Sequence, residues 1–181
     1  SYTYSGGDYY FFDYYSPHKF AGFEQVRTEH PDGSEEIAYF HQGNSVNTEL
    51  FESVDGSLAY IGKLFRKDIK DAEGNLIERS TTKYTFYSYA GDQTRFFVYP
   101  TEEIHETYDG NTTHRDQATT FTFSTTTGNL MQDVNWGEVT ASTPLVFTDS
   151  GSDKLTTTYA YATDGLSLQL PSGQTLTDIA D

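Results

Sequence analysis

Two stretches of this chain carry the same punctuation, and it constrains the fold more than any other feature. KDIKDAEGNLIER (67–79) and ATTFTFSTTTGNLMQDVNWGEV (118–139) each place alternating apolar and polar residues on both sides of a Gly-Asn-Leu. Alternation with a period of two is how a half-buried strand reads, and a glycine at its centre reads as the turn into a second strand. A unit that recurs in this way points to a building element, not to a reaction centre.

The composition agrees. Fifteen tyrosines and thirteen phenylalanines stand against one tryptophan and one methionine, beside many threonines. These residues suit a pleated surface, so an all-β chain is expected. Its 181 residues are enough for one region with a sizeable core, and no domain-scale linker interrupts them, so residues 1–181 read as a single unit. The first residue is Ser1, not methionine, which reads as a processed product or as a piece of a longer chain. The net charge of -16 repels phosphate backbones and anionic lipid alike, which argues against nucleic-acid or membrane-surface partners. Cysteine is absent, which excludes disulfides and thiolate metal sites. No run approaches the about 20 apolar residues that a spanning helix needs.

Turn signals recur along the chain. SYTYSGGDYYFF (1–12) reads as a hairpin about Gly6-Gly7, and Pro31-Asp32-Gly33 as the turn between strands at 23–28 and 36–40. A short helix is expected near 47–54, where Leu50, Phe51 and Val54 begin a helical spacing. Strand resumes from Gly62 to Arg79 around a turn at 71–75. In TKYTFYSYA, Tyr84 and Phe86 occupy one face and Tyr87 and Tyr89 the other, so one face is expected to meet another layer or chain. Residues 91–117 read as strand with a turn at Asp109-Gly110. A polar stretch from Thr148 to Asp153 separates the 118–139 unit from KLTTTYAYATDG, and the chain ends in an extended segment containing Pro171. The sum is a continuous antiparallel hairpin array.

Several landmarks resemble one family in order. Phe20-Ala21-Gly22-Phe23-Glu24-Gln25-Val26, Tyr39-Phe40-His41-Gln42, Gly62-Lys63-Leu64-Phe65-Arg66, Asp71-Ala72-Glu73-Gly74-Asn75-Leu76 and Leu170-Pro171 are similar, collinearly, to segments of the Rhs or YD-repeat proteins. That family includes the B components of insecticidal toxin complexes and, more distantly, the teneurins. Phe121-Thr122-Phe123-Ser124 leading to Gly128-Asn129-Leu130 resembles one copy of the repeat, and Tyr159-Ala160-Tyr161 leading to Asp164-Gly165 a degenerate one. Ser124 and Ala162 stand where the signature has Asp. The resemblance implies a strip of a larger β-shell in a secreted or cell-surface, bacterial protein. It implies partners too: neighbouring repeats or chains of the same shell, and an enclosed toxin or other cargo. Stability would then come from the sum of neighbour interfaces.

The residues that could carry chemistry point more weakly. His105 and His114 flank Glu106, Asp109 and Asp116, a conceivable imidazole and carboxylate metal set, but no short-range ligand spacing supports it, so strand or surface histidines are the simpler reading. His41 reads as a structural strand residue. Glu35, Glu36, Glu102 and Glu103 could be imagined as a hydrolase pair, yet adjacency in sequence does not give the gap such a pair needs. The Asp-Gly pairs at 32–33, 55–56, 109–110 and 164–165 read as turns, and the calcium-loop spacing is absent. Asn111-Thr112-Thr113 matches a glycosylation sequon. No nucleophile elbow, P-loop or dinucleotide fingerprint occurs. The expectation is therefore no catalytic residue, no cofactor and no metal. Two functions remain: a non-enzymatic wall segment, or an aromatic-rich carbohydrate-binding β-sandwich that displays tyrosines to sugar rings.

Overall fold

A computed structural model describes residues 1–10, 19–43, 58–88, 96–109, 113–142, 146–149, 154–162 and 170–179. The protein is all-β. Its strands are β1 (Tyr2–Tyr10), β2 (Lys19–Glu29), β3 (Glu35–Phe40), β4 (Leu64–Lys70), β5 (Leu76–Ser88) and β6 (Phe96–Asp109). They continue with β7 (Thr113–Phe123), β8 (Leu130–Ser142), β9 (Val146–Asp149), β10 (Lys154–Ala162) and β11 (Leu170–Ile179). All eleven form one sheet in the order β1-β2-β3-β4-β5-β6-β7-β8-β10-β11, and β9 pairs with β8. Every pairing is antiparallel. The thirteen-residue β8 meets β10 through Gln132–Trp136 and β9 through Val139–Ser142, so its two halves hold different neighbours.

The hairpin turns explain this order. Gly33 N–H donates to His30 O (3.0 Å) and His30 N–H to Ser34 O (2.9 Å); Gly74 N–H donates to Asp71 O (3.1 Å) and Asp71 N–H to Asn75 O (2.9 Å). The Ser124–Asn129 turn closes the same way with one more residue, through Gly128 N–H to Ser124 O and Ser124 N–H to Asn129 O, both 2.8 Å. Gly74 (φ 86°) and Gly128 (φ 75°) hold the left-handed conformation that a side chain disfavours, just before each chain re-enters the sheet. Side chains reinforce the loops: Asp71 Oδ1 accepts from the N–H groups of Glu73 and Asn75, and Ser124 Oγ from those of Thr126 and Thr127.

The core is thin. Among the described residues, the buried hydrophobic ones are Ala21, Ile37, Tyr60, Phe65, Ile104, Ala118 and Val139. Ile104, Ala118 and Val139 cluster across β6, β7 and β8, with Trp136 and Phe147 packed against them. A second group gathers beneath a single 3-10 turn, Leu58–Tyr60. There Phe65 lies 4.6 Å from the His41 ring, Tyr60 packs on His41 and Phe86, and Tyr84 Oη donates to Leu64 O. No second sheet covers either face among the described residues, although most domains bury their apolar surface between two layers.

Three expectations change. Gly6-Gly7 is not a hairpin turn: β1 runs straight through it, with Ser5 opposite Gln25 and Gly7 opposite Phe23, because β2 offers a full-length partner. The polar separator begins later than expected, since Thr148 and Asp149 belong to β9 and pair with β8. The layer expected over Tyr84 and Phe86 is the 3-10 turn with Tyr60, while Tyr87 is exposed. The helix near 47–54, Tyr89, and the Asp55-Gly56 and Asp164-Gly165 pairs lie outside the described residues. No helix among the described residues is long and apolar enough to cross a membrane, which leaves strands untouched as a means of crossing.

Candidate functional site

Residues directly opposite on neighbouring strands share a face of the sheet, so the register converts sequence into rows. One row crosses seven strands: Arg27, Ile37, Asp68, Arg79, Glu106, Asp116 and Val139, each opposite the next. Its centre is ionic and enclosed. Asp68, 2 % exposed, accepts from Arg66 Nε (2.9 Å) and, more closely, from Arg66 Nη2; it also accepts from Arg79 Nε (2.9 Å) and Nη2 (3.2 Å). Burial alone pushes the Asp68 carboxyl up, but the hydrogen bonds and charges of the two guanidinium groups outweigh it and hold the carboxyl below its ordinary 3.8. Arg66 also lies 4.9 Å over the Tyr39 ring.

Further along the row, Arg79 Nε stands 4.0 Å from Glu106 Oε2, and Tyr108 Oη donates to Glu106 Oε1 (3.1 Å). Burial, and then the charge of Glu106, push the Tyr108 hydroxyl up to about 12, so it stays a donor at neutral pH. His114 stands opposite Tyr108, their rings 5.0 Å apart, and its Nδ1 makes a short contact with Asp116 Oδ1. The ligand atoms of Glu106, His114 and Asp116 all lie within 4.8 Å of one another.

The register therefore sorts the histidines and carboxylates that looked alike in sequence. His114, Glu106 and Asp116 are brought together. His105 lies on the opposite face, 3.2 Å from Ser80 Oγ and 3.8 Å from Glu78. Asp109 ends β6, exposed. His41 is buried among aromatic rings, a structural position. Glu35 pairs with Arg27, and Glu36 with Lys67 (3.0 Å). Glu102 and Glu103 are consecutive on β6 and so point to opposite faces, which rules them out as a pair flanking one bond. Burial pushes the Glu102 carboxyl up, against the pull of Lys83. Asn111 and Thr112 of the sequon lie outside the described residues.

The opposite face carries two polar rows, Ser80-His105-Gln117 and Thr82-Glu103-Thr119-Asn135-Leu155, which line an open concavity of about 590 Å³. Its hydroxyls and amides make it a solvated surface. Apart from Tyr87, the exposed aromatics among the described residues gather elsewhere, at the β1 edge: Tyr4 packs on Phe23 (5.0 Å), Tyr9 on Phe20 (5.4 Å), and Phe20 on Phe23 (5.2 Å). Tyr2 is 70 % exposed beside them. Of the repeat aromatics, Phe121, Phe123, Tyr159 and Tyr161 are all half-buried. Phe123 packs against Tyr99 (5.0 Å), Tyr159 Oη donates to Asp133 Oδ1 and Tyr161 Oη to Leu130 O, both 2.6 Å. Phe123 thus packs, and Tyr159 and Tyr161 act as cross-strand ties. No family model matches the chain, and no curated protein matches it.

Proposed function

We propose that this chain is wall: a structural, non-enzymatic strip of a Rhs/YD-repeat-type β-shell, in a secreted or cell-surface protein, that encloses a toxin or other cargo. One observation carries the reading. The strands pair almost entirely in sequence order in one open sheet, with β1 and β11 each lacking a strand on one side among the described residues. A module that folds to bind a ligand alone closes its sheet or packs two layers, whereas a strip of shell passes its edges to further strands. The seven bulges and register shifts along the sheet favour bending, which a curved wall requires. The half-buried repeat aromatics and the three glycine-closed turns give the neighbour-to-neighbour stability that such a wall uses.

The carbohydrate-binding reading keeps one supporting observation, the aromatic cluster of Tyr4, Tyr9, Phe20 and Phe23 at the β1 edge. Electron cryo-microscopy of the native gene product, with a glycan array on the same sample, decides between them. The expected result is a sheet that continues past β1 and β11 into further strands around an internal volume, with no glycan bound. A closed module bounded by residues 1–181, or a glycan whose binding is lost on replacing Tyr4 and Phe23 with alanine, would overturn the wall.

A further inference from the structure

The ionic row leaves one electrostatic problem at its end. Glu106 and Asp116 are directly opposite on β6 and β7, and like charges in that position destabilise a strand pair. Arg79 sits on the far side of Glu106 and gives its two shorter contacts to Asp68. On the near side stands His114, whose Nδ1 lies 4.0 Å from Glu106 Oε1 and closer still to Asp116 Oδ1. Two carboxylates and an imidazole nitrogen thus converge on a single point between two strands.

We propose that Glu106, His114 and Asp116 form a binding site for one divalent metal ion of the zinc class. The donors are the reason for the class: one imidazole and two carboxylates suit zinc and its borderline neighbours, while calcium or magnesium sites are built from oxygens. The charge of the ion offsets the opposed carboxylates of Glu106 and Asp116. The surroundings are those of a supported site. Tyr108 donates to Glu106, Arg79 stands behind that carboxylate, and the Tyr108 ring packs on the imidazole, so two of the three ligands are held in orientation by residues that are not ligands. Asp116 is buried, whereas His114 is open to solvent, which provides an entry path. Three protein ligands leave a position for water. The ion would clamp β6 to β7, tying together the middle of the sheet.

The test is calorimetric titration of the chain with zinc chloride, with thermal unfolding recorded alongside. The expected result is one equivalent bound and a raised melting temperature. His114→Ala should weaken binding by about tenfold or more. His105→Ala, on the other face and outside the site, should leave it unchanged. Manganese added to labelled protein gives a readout that needs no variant: paramagnetic broadening should centre on residues 106, 108, 114 and 116. No binding, equal loss in the His105 and His114 variants, or broadening spread over the acidic surface would each overturn the site.

Discussion

At Asp68 one carboxylate holds two guanidinium groups inside a thin core, and the arrangement fixes what its loss must do. Replacing it with Asn leaves Arg66 without its carboxylate and Arg79 with only the more distant Glu106, which costs about 3–5 kcal/mol where a buried pair is broken from one side. Urea unfolding of Asp68→Asn against the wild type measures this, and a loss within error of zero would show that water reaches the pair. The pH dependence has a definite sign. Because the folded carboxyl lies below its ordinary 3.8, its contribution is present above that value and is lost as the pH falls through the folded one. Wild-type stability should therefore fall as the pH drops below 3.8, and the Asn variant should follow a flatter curve there. Phe123 belongs to the same scale. It is half-buried against Tyr99 and Phe97, so Phe123→Ala should cost about 2 kcal/mol, below the range for a fully buried ring. Little of this was legible in sequence. His105 and His114 are equivalent as letters; the strand period sets His114 beside Asp116 on β7, and the register of β6 against β7 is what brings Glu106 to that pair and leaves His105 on the far face.

Among the elements, the hairpins were legible where the turn carried its own chemistry. Pro31-Asp32-Gly33, Asp71–Asn75 and Ser124–Asn129 each combine an oxygen-bearing side chain with a glycine before re-entry, and each closes as that chemistry dictates. Gly6-Gly7 carried glycine without flanking partners of matched length, and pairing with β2 decided its fate instead. The β8 to β9 boundary failed for a related reason: a four-residue strand of Val146–Asp149 is too short to show a period, and β8 alone makes it a strand. The two Gly-Asn-Leu turns give a graded test. An alanine at Gly74 meets nothing within 4 Å, so its cost is the left-handed backbone alone, about 1–2 kcal/mol. At Gly128 the same backbone strain is joined by the Phe97 ring, whose Cζ would lie 3.2 Å from the new Cβ. Gly128→Ala should therefore lower the urea midpoint more than Gly74→Ala. The reverse order would mean that the Ser124–Asn129 turn adopts another conformation in solution.

For the whole molecule, the sheet behaves as a line of neighbours. Most strands are stabilised by the ones before and after them, and no second layer among the described residues links distant strands. In a closed sandwich or barrel, opening any strand disturbs a shared core, so slow hydrogen exchange reports one global unfolding step. In a one-layer array the free energy of opening is local, greatest where both sides are paired and least where one side is bare. The centre is also where the strongest local interactions lie: the Arg66, Asp68 and Arg79 network on β4 and β5, and the Ile104, Ala118 and Val139 cluster on β6, β7 and β8. Native-state exchange should thus show protection that peaks across β4 to β8 and declines toward β1 and β11. On the proposed wall reading, the decline should flatten when the same residues are measured in the native gene product, where further strands would cover both edges. Uniform protection from β1 to β11 in the isolated chain would mean that the two edges meet or that another layer covers the sheet, and the wall reading would fall with it.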